Sequence, residues 1–333
     1  MKFKAAILDE IDSPLIVDDI ELSKLEVGQV LVKIHYSGIC GSQLAEISGA
    51  KGSDNFLPHL LGHEGSGVVV EMGAGISIFK KGDRVVAHWR EGKGIDAEFP
   101  VYKWGNKVVG GGKVTTFSEY AVVSENRLTK VDKDTPLELA ALMGCSVTTA
   151  WGLINNEAQL KIGQSIIVIG CGNVGLNIIV GAKMVSAYPI ICIDRHEGKL
   201  EQALNCGATS ATSSDFGIEA DVVVDCTGSP EMIEKGWKMV ASGGKMILVG
   251  QPHNGASYNF TKVREGFYKN KKMFDSQGGM TNPTVDIPRY LNLIKSSGLG
   301  YGQPSMYDLE SVNNAIRDLE QGVVGKIMLE MNT

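Results

Sequence analysis

Residues 30–35 alternate apolar and polar positions in the manner of a half-buried strand, and residues 67–71 and 83–87 are further short β-rich runs. Turn-forming sequences such as Gly73-Ala74-Gly75 and Gly82-Asp83 separate them. The chain up to about residue 145 therefore reads as mostly β. From about residue 147 the pattern changes. Residues 165–169 are a short apolar run, followed by Gly170-Cys171-Gly172-Asn173-Val174-Gly175 and an apolar helical stretch to about Ser186. Residues 189–193 predict a second strand ending at Asp194, residues 199–204 a helix stopped near Gly207, and residues 221–225 and 245–249 two more strands. Strands alternating with helices predict parallel βαβ units and so an α/β fold.

After about residue 278 the alternation ends, and helices over 288–296 and 309–320 close the chain. No internal repeat or low-complexity linker is present. The simplest layout is a β-rich domain over 1–146, a doubly wound domain over 147–278 and a return to the first domain over 279–333. A chain of 333 residues is long enough for two cores.

The net charge of −6 opposes a general role on nucleic acid or anionic membrane. One basic run, Lys262, Arg264, Lys269, Lys271 and Lys272, reads as a solvated face, with a phosphorylated ligand as its other reading. No apolar run reaches the roughly 18 residues of a membrane span. Asp9 and Glu10 come too early for a secretory signal, so a cytoplasmic protein is expected. Its six cysteines should then be reduced.

The glycine-rich run follows a strand, opens a helix and has an acid at the end of the next strand, which is the context a dinucleotide-binding loop needs. Gly170 permits the tight turn, Gly172 lets the backbone approach a pyrophosphate at the helix N-terminus, and Gly175 lets helix and strand pack closely. Asn173 and Val174 belong to the same loop. Asp194, 19 residues after Gly175, suits the ribose hydroxyls. Its carboxylate would repel a 2′-phosphate, which favours NAD over NADP, whereas the adjacent Arg195 would suit that phosphate.

Cys40, His63 and Cys145 are the candidate metal ligands. Spacing alone does not bring them together, and singly each cysteine reads as a small buried apolar residue. Two thiolates, one imidazole and an open position would suit a catalytic zinc.

The segments GICGS, LGHEGSGVVVEMGAG, KKGDRV, GCSVTTAWG, IVIGCGNVG and GKIML occur in that order over nearly the whole chain. In them the sequence resembles the zinc-containing medium-chain alcohol and polyol dehydrogenases. The resemblance implies a GroES-like β-rich catalytic domain and a Rossmann NAD-binding domain. It implies an enzyme that moves a hydride between NAD and a secondary alcohol, whether polyol, sugar-derived or simple. One catalytic zinc would lie on Cys40, His63 and Cys145, with Glu64 as the neighbouring acid and Ser42 as the hydroxyl that takes the substrate proton. Thr149 matches a position near the nicotinamide and Lys326 a cation near the cofactor phosphates. Thr227 and Gly250, beyond the third and fourth strands of the alternating region, complete the cofactor set. A homodimer or homotetramer is implied as well.

The chain departs from that family in three places. Between Arg84 and Phe117 there is no cysteine, so no structural zinc is expected. Trp89, Phe99, Tyr102 and Trp104 could hold that lobe as an aromatic cluster, although core packing is the preferred reading for most of them. Trp89 aligns with a pocket wall, with His88 beside it and Phe117 as a second wall; His88, Arg90 and Glu119 make a polyol plausible. Gln43 replaces the aspartate that steadies the zinc-bound histidine, so weaker zinc retention is expected. Ala45 replaces a histidine that ends the proton relay in some relatives. Two other functions fit the sequence less well. A zinc-free NADPH-dependent quinone or enoyl reductase would lack the Cys-His-Cys set, and a non-enzymatic nucleotide-binding structural protein would have no use for Ser42.

Overall fold

A computed structural model describes residues 1–214, 217–259, 269–297, 304–323 and 325–331. The chain forms two compact units, residues 1–148 with 282–333 and residues 149–281.

In the first unit, strands β1 (Lys2–Leu8), β2 (Ile16–Leu22), β4 (His59–Leu60), β7 (Val101–Trp104) and β8 (Lys107–Gly110) close a small barrel. A second sheet has the order β10 (Leu128–Lys130), β6 (Arg84–His88), β5 (Glu64–Met72), β3 (Gln29–Gly38), β18 (Ile327–Glu330), β17 (Ser305–Asp308), with β9 (Tyr120–Ser124) also pairing with β3. Strand β3 separates two cores. Val30, Val32 and Ile34 enter one with Val69, Val85 and Leu329; Leu31 enters the other with Phe3, Ile7 and Val122. This is the two-residue period of a strand with both faces covered. Each such burial stabilises by about 1.5–3 kcal/mol before entropy is counted.

The registers of this sheet assemble the site. Ser37 lies opposite Gly65 and Gly38 opposite Met328. The residues just past β3, just before β5 and just before β18 therefore lie at one end of the sheet, and these residues include Cys40, His63 and Lys326. Helix α1 (Gly41–Ile47) follows Cys40. Helix α2 (Leu137–Leu142) packs on β5 and β3 and delivers Gly144. A Cβ on Gly144 would stand 2.5 Å from the Ala87 carbonyl oxygen and 2.9 Å from Glu64 Cα. That close approach sets Cys145 against the start of β5.

The cysteine-free lobe is held by strand pairing and core packing. Tyr102 of β7 is buried, edge-on to Phe3 at 5.9 Å, and Tyr120 lies tilted against Phe3 at 5.6 Å. Core packing is the use of Tyr102 and, at its edge, of Trp104, and the four aromatics do not gather into one cluster. Trp104 donates to Asp18, Phe99 is exposed, and Trp89 lies outside this core.

In the second unit a parallel sheet runs β13 (Ser210–Thr212), β12 (Ile190–Ile193), β11 (Ile166–Ile169), β14 (Ala220–Asp225), β15 (Val240–Leu248), β16 (Lys272–Asp275). Counted in chain order within the unit, this is 3-2-1-4-5-6, the doubly wound order whose direction reverses beside β11. The expected strands appear there, and α3 (Ser146–Gly152), α4 (Asn173–Met184), α5 (Glu197–Cys206) and α6 (Pro230–Lys238) precede or connect them. The helix expected over 288–296 begins earlier, as α7 (Pro283–Ser297). Pro288 sits inside it and costs one backbone bond, while Asp286 accepts from the Asn282 N–H and braces the first turn. The last helix is α8 (Val312–Glu320), after a short 3₁₀ turn.

Candidate metal centre and cofactor site

Cys40, His63 and Cys145 converge: a ligand atom from each lies within 4.8 Å of the others. Donors in a tetrahedral zinc site with Zn–S bonds near 2.3 Å stand about 3.8 Å apart, so a small contraction suffices. This is the one cluster of its kind among the described residues. All six cysteines are free thiols.

The electrostatics are coupled. A hydrogen bond from Cys145 holds the Cys40 thiol well below its usual range, against the opposing effect of burial. The same bond, with burial added, holds the Cys145 thiol well above its own. The two sulfurs thus share one proton. Burial pushes the His63 ring down, but its bond to Cys40 and that residue's charge outweigh this and raise it.

Glu64 is fully buried at the start of β5, and its Oε1 is paired with Lys326 Nζ, itself almost fully buried. Lys326 Nζ also reaches the Ile39 carbonyl at 3.4 Å. Burial lowers the Lys326 ammonium and Glu64 more than restores it, so it stays charged. Glu64 Oε2 has no partner. With both cysteines ionised, this cluster carries three negative charges against one positive. A divalent cation closes that sum, and the donor set and orphaned carboxylate oxygen fit zinc.

Around the triad, Gln43 is buried and accepts the Cys40 N–H at 3.0 Å, while its Nε2 stands 2.5 Å from His63 Nδ1. Ser42, two residues after Cys40, accepts a hydrogen bond from Lys51 Nζ at 2.9 Å, and Lys51 also pairs with Glu46 at 3.2 Å. Neither Lys51 nor the contact of Gln43 with the Cys40 N–H was foreseen. The second has a sequence signal, since a glutamine three residues after a helix cap reaches back to the cap's amide.

The expected substrate walls fare differently. His88 is a core residue: its Nδ1 donates to the Arg90 carbonyl at 2.8 Å and its Nε2 accepts from Thr129 Oγ1 at 2.9 Å. Burial drives its pKa down to about 4. Phe117 is wholly buried in the sheet's core. Glu119 accepts the Lys4 N–H. Polar or aromatic character near a motif does not reveal burial, which takes His88 and Phe117 away from any substrate surface. Trp89 is half-buried, with the Arg90 guanidinium 5.6 Å from its ring centroid and its carbonyl accepting from Arg127.

In the second unit, Gly170 ends β11 with φ +93°, and a Cβ there would stand 2.9 Å from Thr227 Cγ2. Gly172 caps α4, whose first turn holds Asn173, Val174 and Gly175. A Cβ on Gly175 would fall 2.0 Å from the Gly170 carbonyl oxygen. Asp194 follows β12; its Oδ2 accepts the Cys171 N–H at 2.7 Å and its Oδ1 the His196 N–H at 3.0 Å. Each oxygen retains acceptor capacity for a ribose hydroxyl. Arg195 is exposed and donates to His196 at 3.1 Å. Thr227 donates to Asp225 at 2.6 Å, and Gly250 packs on Thr227 and Gly228. Asp225 was missed, although an acid ending a buried strand, as Asp194 does, was the signal. Thr149 is buried in α3. Of the basic run, Lys262 and Arg264 lie outside the described residues; Lys269 pairs with Glu219, and Lys271 donates to the Trp237 carbonyl.

A GroES-like barrel unit carrying a Cys-His-Cys centre, and a doubly wound nucleotide-binding unit, define a zinc-type dehydrogenase. The comparisons agree. The family described as "Alcohol dehydrogenase GroES-like domain" matches residues 26–133 and that described as "Zinc-binding dehydrogenase" residues 173–296. The chain is 34% identical to an S-(hydroxymethyl)glutathione dehydrogenase of Photobacterium damsela subsp. piscicida, over 75% of this chain and 78% of the relative. It is 29% identical to an NDMA-dependent alcohol dehydrogenase of Amycolatopsis methanolica, over 97% of each. Among solved structures, benzyl alcohol dehydrogenase from Acinetobacter calcoaceticus matches with TM-score 0.90 at 25% identity, over 99% of each chain. The chain belongs to the zinc-type medium-chain alcohol dehydrogenase family. Its activity is that of an NAD-linked oxidoreductase acting on alcohols or carbonyls. Among the described residues no helix is long and apolar enough to cross a membrane.

Proposed function

We propose that Cys40, His63 and Cys145 hold one catalytic zinc per chain, without a second, structural zinc, and that the substrate is a simple alcohol or its carbonyl partner. The observation that carries this reading is the convergence of the three donors beside a buried carboxylate with a free oxygen. Of the residues that favoured a polyol, His88 is buried and engaged elsewhere, Glu119 accepts the Lys4 N–H with one oxygen, and Arg90 lies over the Trp89 ring. Bound there, zinc supplies a Lewis acid for the substrate oxygen.

The chain's own residues do the rest. Ser42 accepts from Lys51, so its hydroxyl hydrogen is free to point at the substrate oxygen. In carbonyl reduction Ser42 donates that proton and Lys51 replaces it, taking one back from water; in alcohol oxidation Lys51 first gives a proton to water and then accepts the one that Ser42 passes on. Lys51 and Glu46 at the exposed side serve in place of the histidine that Ala45 lacks. Lys326 balances Glu64 and lends positive charge toward the cofactor phosphates. Gly172, Asn173, Val174 and Gly175 offer backbone N–H groups to the pyrophosphate of NAD, Gly170, whose own N–H is held by the Ile193 carbonyl, makes the turn that presents them, Asp194 binds the ribose, and Thr149, Thr227 and Gly250 border it. Arg195 borders the ribose, and Trp89 lines the substrate side. The protein acts in the cytoplasm as a homodimer or homotetramer; its charge of −6 argues against nucleic acid as a partner.

The test is metal analysis with NAD reduction over a panel of simple alcohols and polyols, before and after exhaustive chelation. We expect about one zinc per chain, loss of activity with the metal, and recovery on zinc addition. Full activity after complete metal removal overturns the reading.

A further inference from the structure

Gln43 makes two contacts that the metal site cannot keep unchanged. The backbone N–H of Cys40 is a fixed donor, so the amide atom facing it is the oxygen. The amide's other atom, its NH₂, then faces His63 Nδ1. In this arrangement Nδ1 faces a donor, a contact that only an unprotonated Nδ1 can satisfy. Yet with Nδ1 turned to Gln43, Nε2 is the nitrogen left to face the thiols and bind the metal. Coordination through Nε2 requires the proton on Nδ1, which would then point at a donor.

We infer that Gln43 opposes the histidine tautomer that zinc requires, and that it lowers zinc affinity by this mismatch of donors. This inference rests on the zinc site proposed above. When zinc binds, the Gln43 side chain turns over so that Oε1 accepts from His63 Nδ1–H. The Cys40 N–H then loses its acceptor, because one neutral amide has only one oxygen and its other end is a donor. A glutamate at this position has two acceptor oxygens on the same arm and serves both donors at once. Gln43 is thus a positioning residue. It acts on the metal through the imidazole and touches neither substrate nor cofactor.

The experiment compares the full chain with Gln43→Glu. Zinc affinity is measured by competition with a chromogenic chelator, and exchange of the Cys40 amide by NMR with and without zinc. Gln43→Glu should bind zinc about 10–100-fold tighter, the range over which partners of a metal-bound histidine act. Zinc should speed exchange of the Cys40 amide in the native chain and leave it protected in the variant. The exchange measurement separates this effect from the added negative charge, and in the native chain it stands alone if the variant does not fold. Equal or weaker zinc affinity in a folded Gln43→Glu overturns the inference, as does a native Cys40 amide whose exchange zinc does not change. Failure of the native chain to bind zinc at all overturns the zinc reading itself, and is distinguished by that result.

Discussion

The two units recognise their ligands by opposite means. The nucleotide side is built from one contiguous loop and the ends of adjacent parallel strands, and it offers neutral backbone N–H groups braced by Asp194 and Asp225. The metal side is built from residues up to 286 positions apart, Cys40 to Lys326, and it works with buried formal charge. Local geometry is enough for a pyrophosphate, whereas a cation among thiolates needs several strands in register before any of its groups is useful. The first design should tolerate loss of a charge and fail when backbone spacing changes; the second should do the reverse.

The largest expected effect falls on the metal side. Lys326→Met leaves Glu64 buried and unpaired, which should cost about 3–5 kcal/mol of stability, measured by urea unfolding of the first unit's signals. Adding Glu64→Gln should restore most of it. A double variant no more stable than the single one breaks the claim that charge organises this side.

Acid should separate the two units next. His88 has its pKa lowered to about 4 by burial, from 6.5. Between those values the unfolded chain binds the extra proton, so the stability present above pH 6.5 is lost as pH falls toward 4, by about 3 kcal/mol. Asp225 runs the other way. Burial raises its folded pKa, so protonation on acidification favours the folded nucleotide side. Hydrogen exchange at pH 7 and pH 5 should show the β5–β6 region losing protection before β14, and His88→Asn should flatten that pH dependence. Equal loss in both regions would discard the contrast.

The smallest effect tests the nucleotide side. Gly175→Ala places a methyl group against the Gly170 carbonyl and should cost about 1–3 kcal/mol, with NAD affinity falling and zinc content unchanged. Calorimetry with NAD checks the first part and metal analysis the second.

The same contrast explains what was legible in the chain. The apolar run at Ile166–Ile169, its glycines and Asp194 lie close together, so strand, turn and acid could be read directly. Strand β15 was read too short because Gly243-Gly244 looks like a turn; the strand passes through with a shift in register. Cys40, His63 and Cys145 could be named from the family's motifs, but their meeting depends on β3–β5 pairing that no spacing encodes. His88 stands beside a half-buried tryptophan in sequence and turns inward because it lies opposite Glu64 across β5 and β6. The Glu64–Lys326 pair joins residues 262 positions apart and leaves no local trace.

That pair also orders events during synthesis. Glu64 emerges from the ribosome long before Lys326, and β18, which carries Lys326 to it, pairs with β3 only when nearly the whole chain is available. Until then the first unit has an interior carboxylate with no counter-ion. Closure of this interior therefore waits for the β3–β18 pairing, and a nascent chain stalled before β18 should remain open to proteases.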